Sequence, residues 1–215
     1  MHQLFSSFVL GYHGCDRDVG ETLLAHSEQF KPSENDYDWL GGGAYFWEAN
    51  PVRGLEFAYQ LQTRRRGTPN EIKEPYVVGA ILDLRFCLDL MSSTGMKAVQ
   101  QSYRELSDAF AKAFKGLPLN ERGEDLLFRR LDCAVINYMH AIRQRTGDIP
   151  FDTVRGLFVE GEPAYLGAGF RTKTHIQICV RNAACIKGVF RVPPDQLAGF
   201  GAIQGSTTAS RTFLS

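Results

Sequence analysis

The hydrophobic pattern of this chain changes period twice along its 215 residues, and that order constrains the fold more than any single motif. Ser7–Tyr12 and Ala44–Trp47 are short apolar runs next to glycine. Tyr76–Leu90 is a longer β-rich run and reads as the clearest strand, a central one. From about Met91 to Gly147 the spacing becomes helical. Val99, Tyr103, Leu106, Phe110, Ala113 and Phe114 follow one stripe. Leu127, Leu131, Val135, Tyr138, Met139 and Ile142 follow a second, on a helix expected from about Glu124 to Arg145. Strand patterns then return. Val154–Glu160 and Ile186–Val192 are β-rich, and His175–Val180 alternates so that His175, Gln177 and Cys179 share a face. Strands, then helices, then strands predict an α+β domain over residues 1–192 with a helical insertion at about 91–147. Residues 193–215 are rich in Gly, Ser, Ala and Thr and read as a flexible tail.

Local signals place the remaining elements. Asp16 or Asp18 is suited to cap a short helix through Glu21, Leu23 and Leu24. Pro32–Asp38 is a polar loop. Asn50-Pro51 sets a helix start, and Leu55, Phe57, Ala58 and Leu61 give that helix an apolar face ending near Gly67. Gly161–Thr174 is a loop between two strands.

Charge and cysteine content narrow the function classes. There are 24 basic and 24 acidic residues, so the chain has no overall basic footprint for nucleic acid. Arg64-Arg65-Arg66 reads as a solvated helix end. No apolar stretch reaches the roughly 20 residues a membrane helix needs, and no basic signal-peptide start is present; a cytoplasmic protein with no membrane partner is expected. The five cysteines form no CxxC pair, which disfavours a metal site or a disulfide framework. Cys87, Cys133 and Cys179 read as small core residues. Cys15 lies beside His13, but no second histidine has a catalytic motif around it to activate a thiol. His26 and His140 read as ordinary helix residues. No GxGxxG follows a strand, which disfavours a Rossmann site.

Two short motifs carry the chemistry. Tyr12-His13-Gly14-Cys15 closes the first apolar run, and Gly41-Gly42-Gly43-Ala44-Tyr45-Phe46-Trp47 opens the second. Each sets a ring that can bond or stack beside flexible backbone. In this order they resemble the NAD-binding segments of ADP-ribosyltransferases of the diphtheria-toxin and poly(ADP-ribose) polymerase type, closest to small bacterial toxin-like members. The resemblance implies a split antiparallel β-sheet core, with NAD as substrate. It implies that His13 binds a ribose hydroxyl, that backbone at Gly14 holds the nicotinamide amide, and that Tyr45, following Gly43, stacks on nicotinamide. The family's third residue is usually a glutamate opening a late strand. Here that position holds Gln177, which hydrogen-bonds but carries no negative charge.

Glu160, at the end of the preceding strand, is the candidate for the missing carboxylate, positioning or activating the acceptor. His175 shares the face of Gln177 and is placed to line the pocket or cap the sheet edge. Asp36 to Trp39 are candidates for a wall near the adenosine. The implied activity is mono-ADP-ribosyl transfer from NAD to a macromolecule, whether protein, DNA or RNA. A toxin–antitoxin or phage-defence setting, with an antitoxin partner, follows by analogy. The alternatives are an NAD glycohydrolase and a non-catalytic NAD or ADP-ribose sensor.

Overall fold

A computed structural model describes residues 8–68, 70–121 and 128–198. Gly123, the expected helix start at Glu124, Leu127 and the tail from 199 onward lie outside the described residues. The chain is α+β; among the described residues it has four α-helices and mostly antiparallel strands. It divides into two compact units. Of the described residues, the first takes in Phe8 and those within 30–46 and 83–186, and the second those within 9–29, 47–82 and 187–198.

The second unit contains β1 (Phe8–Asp16), α1 (Arg17–Leu24), α2 (Pro51–Arg64), β3 (Pro75–Asp83) and β9 (Ile186–Arg191). It also holds the end of β2 (Ala44–Glu48), a strand that begins in the first unit. Its strand order is β2-β1-β3-β9. β1 is antiparallel to β2, with Gly11 opposite Glu48 and Tyr12 opposite Trp47. Asp16 caps α1 by accepting from the Asp18 N–H at 3.0 Å. Asn50 accepts from Arg53 N–H at 3.0 Å, with Pro51 at the first helical position of α2. Tyr12, Val77 and Val192 form a core with Leu55, Phe190 and Leu197 against it. Pro194–Leu197, inside the expected tail, make a 3-10 turn, and the Tyr12 hydroxyl donates to Gln196 Oε1 at 3.2 Å.

The first unit contains β4 (Cys87–Asp89), α3 (Ser93–Lys112), β5 (Asn120–Glu121), β6 (Phe128–Arg129), α4 (Arg130–Thr146), β7 (Thr153–Phe158) and β8 (His175–Val180). Its strand order is β4-β7-β8-β2. β7 and β8 are antiparallel, with Gly156 opposite Gln177; β4 and β7 are parallel, so the sheet is mixed rather than purely antiparallel. Ile136 and Met139 of α4 pack on Leu88, Val154, Phe158 and Cys179 of the strands, with Ala98 and Val99 of α3 beside them. Of the expected stripes, Leu106, Val135 and Met139 are buried, whereas Tyr103 and Phe114 are exposed and Phe114 lies beyond the end of α3.

Three boundaries differ from expectation. The run Tyr76–Leu90 is two strands, broken at Leu84–Phe86, where Arg85 takes φ 47°. The second inserted helix begins at Arg130, because Phe128–Arg129 pairs with Asn120–Glu121 instead. His26 follows α1 with φ 55° and is not helical.

Candidate functional site

In the second unit, His13 lies inside β1 rather than at its end, because the strand continues to Asp16. His13 is half-buried between buried Tyr12 and Gly14. Gly14 is required by packing: a Cβ there would fall 2.1 Å from the Gly54 carbonyl oxygen of α2. Asp16 pins the strand end. Its Oδ2 accepts from the Lys73 and Glu74 N–H groups at 2.6 and 3.1 Å, and its Oδ1 from Asp18. Burial pushes its carboxyl pKa up, but those three N–H donors outweigh burial and hold it below the ordinary value. Cys15 is buried, and burial together with the Asp16 charge pushes its thiol up to about 12. It is therefore a protonated core thiol, unsuited to nucleophilic work.

In the first unit, the triple-glycine segment is a tight loop. The Tyr45 hydroxyl donates to the Gly41 carbonyl at 2.9 Å and accepts from the Leu40 N–H at 3.0 Å. Gly43 has φ 156°, and a Cβ there would come within 2.5 Å of Cys179 Sγ. Only glycine fits both demands. Asn137 of α4 accepts from the Gly42 N–H at 3.1 Å, and Arg181 Nη1 donates to the Gly42 carbonyl at 2.6 Å. Burial, with Cys179 and Asp38 nearby, raises the Tyr45 phenol well above its ordinary pKa. The hydroxyl therefore stays neutral and structural, and any contact with a ligand falls to the ring.

Gln177 sits half-buried in β8, and its Oε1 accepts the Trp39 indole N–H at 2.6 Å. An indole N–H only donates, so this bond decides which end of the amide is which. With one lone pair of its carbonyl taken, Gln177 keeps two N–H donors and one acceptor site. Trp39 is itself fixed: it packs 5.1 Å from the Phe158 ring, and the Arg129 guanidinium lies over both rings at 5.1 and 4.2 Å. His175, on the same face, is buried, with Nδ1 2.6 Å from the Lys173 carbonyl and its ring against Phe158. It belongs to the core.

Glu160 lies two residues beyond β7 and is only 8% exposed, so it does not simply face water. The Lys173 N–H donates to its backbone carbonyl at 3.0 Å, closing the base of the 161–174 loop. That loop is a hydrogen-bonded hairpin, with Pro163 bridged to Arg171 and Ala164 N–H donating to Phe170 O at 2.9 Å. Its tip exposes Tyr165 (62%), Leu166 (103%) and Phe170 (72%).

Tyr45, Gln177 and Glu160 thus belong to the first unit and His13 to the second. The candidate adenosine wall is largely committed to internal bonds. Asp36 pairs with Arg130 at 2.8 Å, Asp38 accepts from the Asn35 N–H at 2.9 Å, and Tyr37 packs edge-on to Phe128. Asn137 and Arg181 are the positioning residues that sequence reasoning missed, and Trp39, read as part of the adenosine wall, instead holds Gln177. Trp39 and Gln177 are 138 positions apart, and Arg181 and Gly42 are 139 apart, so no local pattern signals either bond. Among the described residues no cluster of three or more His, Cys, Asp or Glu could hold a metal, and no helix is long and apolar enough to cross a membrane.

No protein-family profile matches the chain, and no solved structure matches it. The chain is similar to the uncharacterized protein MJ0359 of Methanocaldococcus jannaschii, with 26% identity over 192 residues, covering 82% of this chain and 83% of that protein.

Proposed function

We propose that the protein transfers ADP-ribose from NAD to a macromolecular acceptor, releasing nicotinamide, as a diphtheria-toxin-type ADP-ribosyltransferase would. The observation that carries this reading is the pair of glycine-flanked motifs, His13-Gly14 within β1 and Gly43-Ala44-Tyr45 at the start of β2. In the reaction the bond between nicotinamide and ribose breaks, its electron pair leaving with nicotinamide. The acceptor's lone pair forms the new bond at the same carbon, and its proton passes to a base. His13 holds a ribose hydroxyl and the Tyr45 ring stacks on nicotinamide. Gln177 donates to an oxygen of the nicotinamide ribose. Glu160 positions the acceptor or takes its proton. The exposed apolar tip of the 161–174 hairpin meets a macromolecular acceptor.

The residue type at position 177 favours one second reading. A glutamine provides no negative charge beside a developing oxocarbenium ion. Such a site suits binding of NAD or ADP-ribose without cleavage. One experiment tests both. Purified protein is incubated with labelled NAD and a cell lysate, and nicotinamide and label on polymer are followed before and after protease or nuclease. Nicotinamide release with polymer-bound label supports transfer. Release without label indicates a glycohydrolase. NAD binding without release indicates a sensor.

A further inference from the structure

The first unit carries a second polar site at the far end of β8, four residues beyond Gln177 and thus about 13 Å along the strand. We propose that the cavity of about 460 Å³ beside Arg181, His140 and Gln144 binds the phosphate group of a small phosphorylated molecule. Its size is within the range of ligand pockets, about 300–1,000 Å³, and leaves room for more than a phosphate ion.

Arg181 is the anchor. Its Nη1 donates to the Gly42 carbonyl at 2.6 Å and lies 3.4 Å from Asn137 Oδ1, which aims the guanidinium without neutralising it. Among the described residues Nε and Nη2 of Arg181 have no partner, and no carboxylate is within ion-pair distance. A guanidinium held by one nitrogen, with a second donor edge left over, presents the fork that takes two oxygens of a phosphate. The two acids on the wall do not compete. Asp152 Oδ1 accepts from Asn182 Nδ2 at 2.6 Å and Oδ2 from the Phe86 N–H at 3.2 Å, while Glu34 is exposed at the rim.

His140 supplies an independent indication. It lines the same cavity from α4, is 2% exposed, and its Nε2 has no hydrogen-bond partner among the described residues. A buried polar nitrogen left alone is costly, and a ligand or a water it brings would offset that cost. Burial, then the charges of Arg181 and Arg143, pull its pKa down to about 3. The ring is therefore neutral, in a field that favours an anion. Phe151 offers a ring wall for the remainder of the molecule; its neighbours include Phe86, stacked at 4.6 Å, the His140 ring and the Arg143 guanidinium, 4.7 Å from its centroid.

The test uses inorganic phosphate and adenosine monophosphate, by calorimetry on the full chain without NAD. Adenosine monophosphate is also a part of NAD, so Gln144→Glu, which changes no residue assigned to NAD, separates this site from the transferase reading. Binding of both probes, with the nucleotide tighter, is expected. Gln144→Glu changes one exposed, near-isosteric side chain and should weaken binding at least about tenfold. Arg181→Met should abolish it, with the fold checked by circular dichroism. Equal affinity for the two probes would still support a phosphate site. Failure of the wild type to bind either probe at about 10 mM, or unchanged binding by folded Gln144→Glu and Arg181→Met proteins, overturns the proposal.

Discussion

Tyr45 shows how one side chain can hold a loop and face a ligand. Tyr45→Phe removes the hydroxyl that joins Leu40 N–H to Gly41 O. It leaves the Leu40 N–H unpaired and the Gly41 carbonyl with only the Cys179 thiol as a donor, at a cost of about 1–3 kcal/mol. If the ring carries function, nicotinamide release by Tyr45→Phe stays within about threefold of wild type under conditions where it is folded, whereas Tyr45→Ala and His13→Ala each lose at least about tenfold, or roughly 1.4 kcal/mol. Urea unfolding and nicotinamide release, measured side by side, separate the two roles. Trp39 and Gln177 form a second pair. Because the indole N–H fixes the amide, Trp39→Phe and Gln177→Ala should each slow release, and the double variant should be no slower than the worse single one. Additive losses would show that Trp39 acts on its own. For the acceptor step, Glu160→Gln should weaken transfer more than hydrolysis. Equal loss in both would assign this buried carboxylate to the fold.

At the scale of elements, the contact between β1 and α2 explains Gly14 without any ligand. The Gly54 carbonyl occupies the space a Cβ would need, so Gly14→Ala should destabilise by about 1–3 kcal/mol through overpacking. Loss of activity in that variant is informative only where it remains folded by circular dichroism. The 161–174 hairpin offers a test that leaves the core alone. Leu166→Asp and Phe170→Asp alter exposed side chains, so stability should hold within about 0.5 kcal/mol. Transfer to macromolecules should fall while nicotinamide release persists. Elements with a strong local signature were legible in the sequence. Asn50-Pro51 marks the start of α2, and alternation marks β8. The break at Arg85 was not, because it depends on β4 pairing in parallel with β7, some 66 positions away. The start of α4 was misplaced for a similar reason: Phe128 and Arg129 have neighbours in β5 that a helical stripe does not reveal. The candidate residues were visible as residue types beside glycine. The bonds that orient them, Trp39 to Gln177 and Arg181 to Gly42, join distant parts of the chain and have no local trace.

For the molecule as a whole, His140 and Asp16 are two of the groups that make stability respond to acid. His140 titrates at about 3 when folded, because burial and the charges of Arg181 and Arg143 oppose its protonation, and near its ordinary 6.5 when unfolded. A depressed folded pKa means that its contribution is complete above the unfolded value. It is lost as pH falls from about 6.5 toward about 3, because the unfolded chain takes up the proton first. Within that window the slope approaches about 1.4 kcal/mol per pH unit. Asp16 is also depressed in the folded state, by the N–H groups of Glu74, Asp18 and Lys73 acting against burial. Its contribution is present above the ordinary carboxylate range and is lost only as pH falls below it. The two groups therefore act in different windows. Thermal unfolding between pH 7 and pH 5 should show a marked fall in the wild type. A His140→Phe variant should flatten that part of the curve, whereas Asp16→Asn should leave its slope unchanged and lower stability throughout. The same slope in wild type and His140→Phe would mean that the imidazole reaches water in the folded protein.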